Sequence, residues 1–111
     1  MGLGANNPIG LKMYNFTYTG TNSNQTITGL PFTPKFVLII ANDPLNQTWF
    51  KNDLMPTDRA TNIFATIDTS TGDFERIQLT DLDFMTIVGN TIELQGDLSI
   101  NPIIYYGTIW G

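Results

Sequence analysis

Carboxylates are the side chains of this sequence best placed to do chemistry. Asp81 and Asp83 stand two positions apart in the segment TDLDF. Further acids are supplied by Asp53, Asp58, Asp73, Glu75 and Glu93. Two carboxyl groups on either side of a scissile bond are what a glycoside hydrolase requires. The same acids are better explained as solvated residues in turns and on an outer face, and we favour that interpretation over an acid-pair hydrolase.

Histidine and cysteine are both absent from the 111 residues. The chain therefore lacks the commonest general base and the usual zinc ligands, and triads of the Ser-His-Asp and Cys-His kinds are excluded. The segment GLGANNPIG lacks the Lys-Ser/Thr ending of a phosphate-binding loop, and no D-x-[DN]-x-[DN]-G calcium loop occurs. We predict no enzyme activity, no metal and no cofactor.

The charged residues are few and mostly acidic. Ten acidic and five basic residues give a net charge of -5, and the basic residues are scattered. Nucleic-acid binding needs clustered cations that neutralise phosphates, so we expect no nucleic-acid partner. No apolar run approaches the roughly 20 residues of a membrane span, and the first residues do not resemble a secretory signal. We expect synthesis in a cytoplasm and no membrane insertion.

Aromatic residues give the stronger signal for binding. Trp49 and Phe50 fall in the least regular part of the chain and are followed by Lys51, a combination able to stack on a sugar or fill a partner's pocket. For Trp49 we favour the interpretation that it covers one end of the core, with ligand contact as the alternative. We name Trp49, Phe50 and Lys51 as candidate contacts for a ligand or partner.

Alternation of apolar and polar residues with period two dominates the sequence and predicts strands. Phe84 to Val88 and Thr91 to Gln95 flank a Gly-Asn turn and predict a hairpin with one apolar face. The unbroken run from Phe36 to Ala41 predicts a strand buried on both faces. Residues 74–85 also fit a helical stripe, but their β-branched content favours strand.

About eight short strands separated by turn signals predict an all-β fold. We expect a single antiparallel β-sandwich, jelly-roll-like or compact and barrel-like, over residues 13–111. Residues 1–12 are rich in Gly and Asn and carry the spaced apolar residues Leu3, Ile9 and Leu11. This segment is either a frayed terminus or an extended arm that docks on a neighbouring subunit.

The last strand, within NPIIYYGTIWG, is apolar or aromatic on both faces. Such a strand needs cover on both sides. Tyr105, Tyr106 and Trp110 are therefore candidates for a subunit interface, with internal packing as the equal alternative.

Two segments resemble a known family. Gln25-Thr26-Ile27-Thr28, followed by Phe32-x-Pro34-Lys35-Phe36-Val37, resembles a β-sandwich module found in tail-fibre, spike and other small structural proteins of tailed bacteriophages. The final hairpin and the paired aromatics of Ile104-Tyr105-Tyr106 resemble the end of that module. The resemblance covers residues 14–41 and 84–110.

The resemblance implies a component of a phage particle, made in the host cytoplasm and placed in the virion. We expect a non-enzymatic structural protein, either a capsid decoration or a tail or fibre attachment component. Its partners would be other virion proteins and further copies of itself under cyclic symmetry, with a trimer favoured. The alternative is a module that binds a carbohydrate or host receptor.

Overall fold

The strands and one short helical turn account for most of the described chain. The computed structural model describes residues 12–43, 47–83 and 85–111, without the side chains of residues 64–67, 74 and 76–83. The strands are β1 Met13–Thr19, β2 Gln25–Ile27, β3 Phe36–Ala41, β4 Thr48–Asn52, β5 Ala60–Ile67, β6 Phe74–Asp83, β7 Met85–Val88, β8 Thr91–Leu94 and β9 Ile104–Trp110. A turn of 3-10 helix, Gly96–Ser99, precedes β9.

The strands form two antiparallel sheets that pack face to face. One sheet has six strands in the order β1-β9-β3-β4-β5-β6, and the other has three in the order β2-β8-β7. The all-β sandwich predicted from the sequence is confirmed, with nine strands in the described residues rather than about eight. The segment with an alternative helical pattern is strand β6.

The hairpin of β7 and β8 has the register that its sequence predicts. Val88 pairs with Thr91 and Met85 pairs with Leu94 across the Gly89–Asn90 turn. Gly89 has a φ of 58°, which is the first turn position where type II′ hairpins require glycine. The apolar face of this hairpin lies against the larger sheet and closes the core.

The inner face of the six-stranded sheet carries the larger core side chains. Phe16, Gly107, Ile39, Trp49 and Asn62 form one row across five strands. A side chain at position 107 would collide with the Phe16 ring, so this row depends on a glycine there. The smaller sheet covers this face with Met85, Ile92 and Leu94, all fully buried.

One end of the sandwich is closed by two stacked tyrosines. The rings of Tyr18 and Tyr105 lie 4.8 Å apart and nearly parallel. The Tyr18 hydroxyl donates to the Leu98 carbonyl at 2.9 Å, and the Tyr105 hydroxyl donates to the Asp97 carbonyl at 2.7 Å. The phenols therefore hold the 3-10 turn against β1 and β9.

Replacing Tyr18 with phenylalanine should lower the free energy of unfolding by about 1–2 kcal/mol at pH 7, because the buried Leu98 carbonyl loses its donor. Burial, together with the neighbouring Tyr105, raises the pKa of Tyr18 well above its ordinary value. When folding raises the pKa of a group, its contribution to the free energy of unfolding is complete below the pKa of the unfolded chain, near 10 for tyrosine. That contribution is lost as the pH rises further. The difference in the free energy of unfolding between the wild type and Tyr18→Phe should therefore shrink by about 1.4 kcal/mol at pH 11.

Urea unfolding of both proteins between pH 8 and 11 measures this difference. Tyr106→Phe is the matched control, because its phenol is half exposed and its removal should change the free energy of unfolding by no more than about 0.5 kcal/mol. A Tyr18→Phe difference that stays constant to pH 11 would contradict the assignment.

The N-terminal arm and its apolar residues Leu3, Ile9 and Leu11 lie outside the described residues. The arm therefore stays a prediction. Within the described ranges no helix has the length and apolar character needed to cross a membrane.

Candidate interaction surface and pocket

Trp49 and Phe50 point to opposite faces of β4. Trp49 has no exposed surface, and its ring lies 6.0 Å from that of Tyr105 in the core. This placement corrects the expectation that Trp49 stacks on a ligand, because a side chain without accessible surface contacts only its own core. Phe50 lies on the outer face of the six-stranded sheet, half-buried and stacked at 6.3 Å on Phe36.

The two tyrosines of β9 are separated in the same way. Tyr105 is fully buried against Tyr18, so internal packing is its role, and it is not available to a neighbouring subunit. Tyr106 points to the outer face and is 51% exposed. Trp110 is half-buried on the same face, with its ring edge-on to Phe36 at 5.3 Å.

The outer face of the six-stranded sheet is a continuous apolar and aromatic surface on five strands. The strand registers place its members in adjacent rows. They are Met13, Phe36, Leu38, Ile40, Phe50, Ile63, Ile104, Tyr106 and Trp110. The remaining positions of these rows are Asn and Thr, and no charged residue occurs among them. We call this surface the outer face.

Several side chains of the outer face are accessible in the single chain. Met13 is 62% exposed, and Ile40 and Ile104 are each 40% exposed. A concavity of about 420 Å³ lies beside them, where Asn15 and Thr17 of β1 meet Tyr106 and Thr108 of β9. A contiguous exposed apolar area of this kind marks an interaction site more often than a solvated surface.

Lys51 occupies an inward position two residues after Trp49. Its side chain is 3% exposed, and its ammonium donates to the Pro56 carbonyl at 2.6 Å and to the Arg59 carbonyl at 2.8 Å. Burial lowers the pKa of this ammonium, and the carboxylate of Asp58 opposes that shift. Lys51 therefore fastens the β4–β5 connection to the end of the sandwich opposite the tyrosines.

A pocket of about 350 Å³ opens beside Lys51, and we call it the Lys51 pocket. It lies between the segment leading into β3, the β4–β5 connection and the β7–β8 hairpin. Its walls include Lys35, Lys51, Asp53, Met55 and Ile87.

The acidic residues do not form a metal site in the part of the chain that the structure describes. No group of three or more carboxylates is close enough there to hold an ion. Asp81 and Asp83 lie in β6, but their side chains are outside the described residues, so the acid-pair hypothesis stays untested. Every buried side-chain nitrogen or oxygen described has a hydrogen-bond partner.

No protein-family model, curated protein or solved structure matches this chain. The architecture is therefore established by the strands and registers of the chain itself. The resemblance of residues 14–41 and 84–110 to the phage module stays a prediction.

The Lys51 pocket is the feature that sequence reasoning missed. A signal was present, because Lys51 follows Trp49 by two positions in a strand. Residues two apart in a strand face the same side, so an inward Trp49 implies an inward Lys51. Lys35, however, meets Lys51 only through the pairing of β3 with β4, which no local pattern encodes.

Proposed function

We propose that this chain is a non-enzymatic structural protein of a tailed-bacteriophage virion, placed on the capsid or at a tail or fibre attachment point. Two observations support the proposal. The sequence resembles a phage β-sandwich module over residues 14–41 and 84–110. The outer face offers a large uncharged surface whose natural role is contact with other subunits. The outer face carries most of the argument.

The composition of the outer face suits a protein interface better than solvent. The cores of such interfaces are depleted of charged residues and enriched in Tyr, Trp, Phe and Met, all four of which occur here. The smaller sheet of the sandwich covers the inner face only. A second layer is therefore needed to remove Met13, Ile40 and Tyr106 from water.

Further copies of this chain are the partners that fit this surface best. A molecule of net charge -5 repels its copies wherever acidic surfaces approach, and the outer face lets two molecules meet without opposing like charges. Cyclic symmetry lets each copy turn the same face toward a common axis. We propose a trimer, in which the outer faces pack around the axis and other virion proteins contact the rim.

Ile40→Glu should abolish this assembly, while Leu54→Glu should leave it intact. Ile40 lies in the middle of the outer face, and Leu54 is a 91% exposed apolar residue of the β4–β5 connection. Three unpaired carboxylates buried near one axis should weaken association by at least about 100-fold. Light scattering at micromolar concentration should give about three times the 12.4 kDa chain mass for the wild type and Leu54→Glu, and one chain mass for Ile40→Glu.

The same two variants test the virion assignment. In purified particles, mass spectrometry should find the wild type and Leu54→Glu in equal copy number and Ile40→Glu at least about tenfold reduced. A monomeric wild type would refute the self-assembly step. Absence of the wild-type chain from purified particles would refute the virion assignment itself.

A further inference from the structure

The Lys51 pocket brings two basic residues together in an acidic chain. Only five of its residues are basic, and two of them, Lys35 and Lys51, line this one pocket. Asp53 is the acidic residue among the lining side chains. The lining side chains therefore sum to +1 in a molecule of net charge -5, and the Asp58 carboxylate, which does not line the pocket, also acts on the Lys51 ammonium.

Lys51 is held in position before any ligand arrives. Its ammonium has three N–H donors, and the Pro56 and Arg59 carbonyls accept from Nζ at 2.6 and 2.8 Å. One donor is left over for a further acceptor. Because the stem of Lys51 is buried and the ammonium is anchored at two points, a ligand here would not have to order a mobile side chain.

Lys35 and Asp53 are held at the same rim by their backbones. The Asp53 amide donates to the Lys35 carbonyl at 3.0 Å, and the Lys35 amide donates to the Trp110 carbonyl at 2.8 Å. These bonds fix the backbone of Lys35 at the pocket wall that Lys51 also lines.

The rest of the pocket is a mixture of apolar and hydroxyl groups. Met55 of the β4–β5 connection and Ile87 of β7 offer apolar surface, and Thr57 offers a hydroxyl. Its volume of about 350 Å³ lies at the small end of the range for sites that hold small molecules. A compact molecule with one anionic end and a short apolar body matches these walls.

We propose that the Lys51 pocket binds a small carboxylate, with its oxygens accepting from the Lys35 and Lys51 ammonium groups and its apolar body lying against Met55 and Ile87. A carboxylate has acceptors for both ammonium groups. This binding activity is separate from the outer face and does not depend on the proposed assembly. Desolvation of Lys51 favours it further, because an anion replaces part of the solvation that the ammonium loses on folding.

Titration of the full-length ¹⁵N-labelled protein with three matched probes tests the proposal. Butyrate, 1-butanol and butylammonium share an apolar chain and differ in the charge of the head group. We expect butyrate to bind in the millimolar range and to shift the backbone amides of Lys35, Lys51, Asp53 and Ile87. The two other probes should bind at least about tenfold more weakly, because only an anion can pair with both ammonium groups.

Two lysine variants extend the test, with Lys35→Gln as the pocket variant and Lys12→Gln as its control. Lys35→Gln removes a cation from the pocket wall at an exposed position and should weaken butyrate binding at least about fivefold. Lys12→Gln makes the same change in charge at a residue that lies over the Phe32 ring and does not line the pocket, and it should leave binding unchanged. Equal binding of butyrate and butylammonium, an unchanged affinity in Lys35→Gln, or no shifts at 50 mM butyrate would each overturn the proposal.

Discussion

Trp49→Ala is expected to lower the free energy of unfolding by about 3–5 kcal/mol, the range for deleting a large buried aromatic side chain. The indole has no exposed surface and lies between Ile39 and Asn62 on the inner face, with Tyr105 against its ring. Its removal leaves a cavity at the centre of the six-stranded sheet, where the backbones of β3 and β5 cannot close in. A small domain has roughly 5–15 kcal/mol of stability in total, so much of the population should unfold on mild warming.

Phe50→Ala is the matched control for this prediction. Phe50 is the next residue in β4, points to the outer face and is only half-buried. Its loss removes one stacked contact with Phe36 and should cost about 1 kcal/mol in the single chain. Urea unfolding at low protein concentration gives both values, and a Trp49→Ala cost no larger than that of Phe50→Ala would contradict the placement of Trp49 in the core.

This pair of variants also distinguishes a packing role of Trp49 from a role in ligand binding. If Trp49 stacked on a sugar in the folded protein, Trp49→Ala would lose binding and keep its stability. The structure predicts the reverse order of effects, because the indole contacts only its own core. The described aromatic residues of the outer face that remain for recognition are Phe36, Phe50, Tyr106 and Trp110.

The sequence predicted the hairpin and the central strand because their signals are local. The expected burial of that strand on both faces was wrong for the single chain, because Ile40 is 40% exposed on the outer face. Gly89 and Asn90 specify the turn, and period-two alternation then assigns Ile87 and Ile92 to the same face.

The register of β9 joins it to β1, where Met13 pairs with Trp110, and to β3, where Phe36 pairs with Trp110. No short pattern encodes pairings between segments so far apart in the chain. The sandwich was therefore predictable as a class, but its strand order was not.

The faces of β4 and β9 were harder to assign, because both of their faces are rich in apolar or aromatic residues. Alternation shows that Tyr105 and Tyr106 point in opposite directions, but it does not say which of them faces the core. The structure assigns Tyr105 to the core through its stacking on Tyr18 and its hydrogen bond to the Asp97 carbonyl. A strand with two apolar faces needs two covers, and the smaller sheet supplies the inner one among the described residues. Cover for the outer face of β9 stays a prediction.

Lys51→Met is expected to cost about 2–4 kcal/mol, although methionine matches the length and apolar stem of the lysine. The ammonium donates to two carbonyls in the β4–β5 connection, and methionine has no donor to replace it. Pro56 retains one bond, from the Arg59 amide at 3.1 Å. The Arg59 carbonyl loses its bond to the ammonium, and a hydrogen bond from a charged donor contributes about 1.5–3 kcal/mol.

Lys35→Met distinguishes this loss from a general effect of removing positive charge at the Lys51 pocket. Lys35 is exposed at the rim, so its substitution should change stability by no more than about 0.5 kcal/mol. Hydrogen exchange adds a local measurement, because the Arg59 amide should lose protection in Lys51→Met and keep it in Lys35→Met. Equal stability of the two variants would mean that the two hydrogen bonds of the Lys51 ammonium are cancelled by the cost of burying its charge. The β4–β5 connection would then be held by its backbone turn alone, and the pocket beside it would lose its preorganised cation.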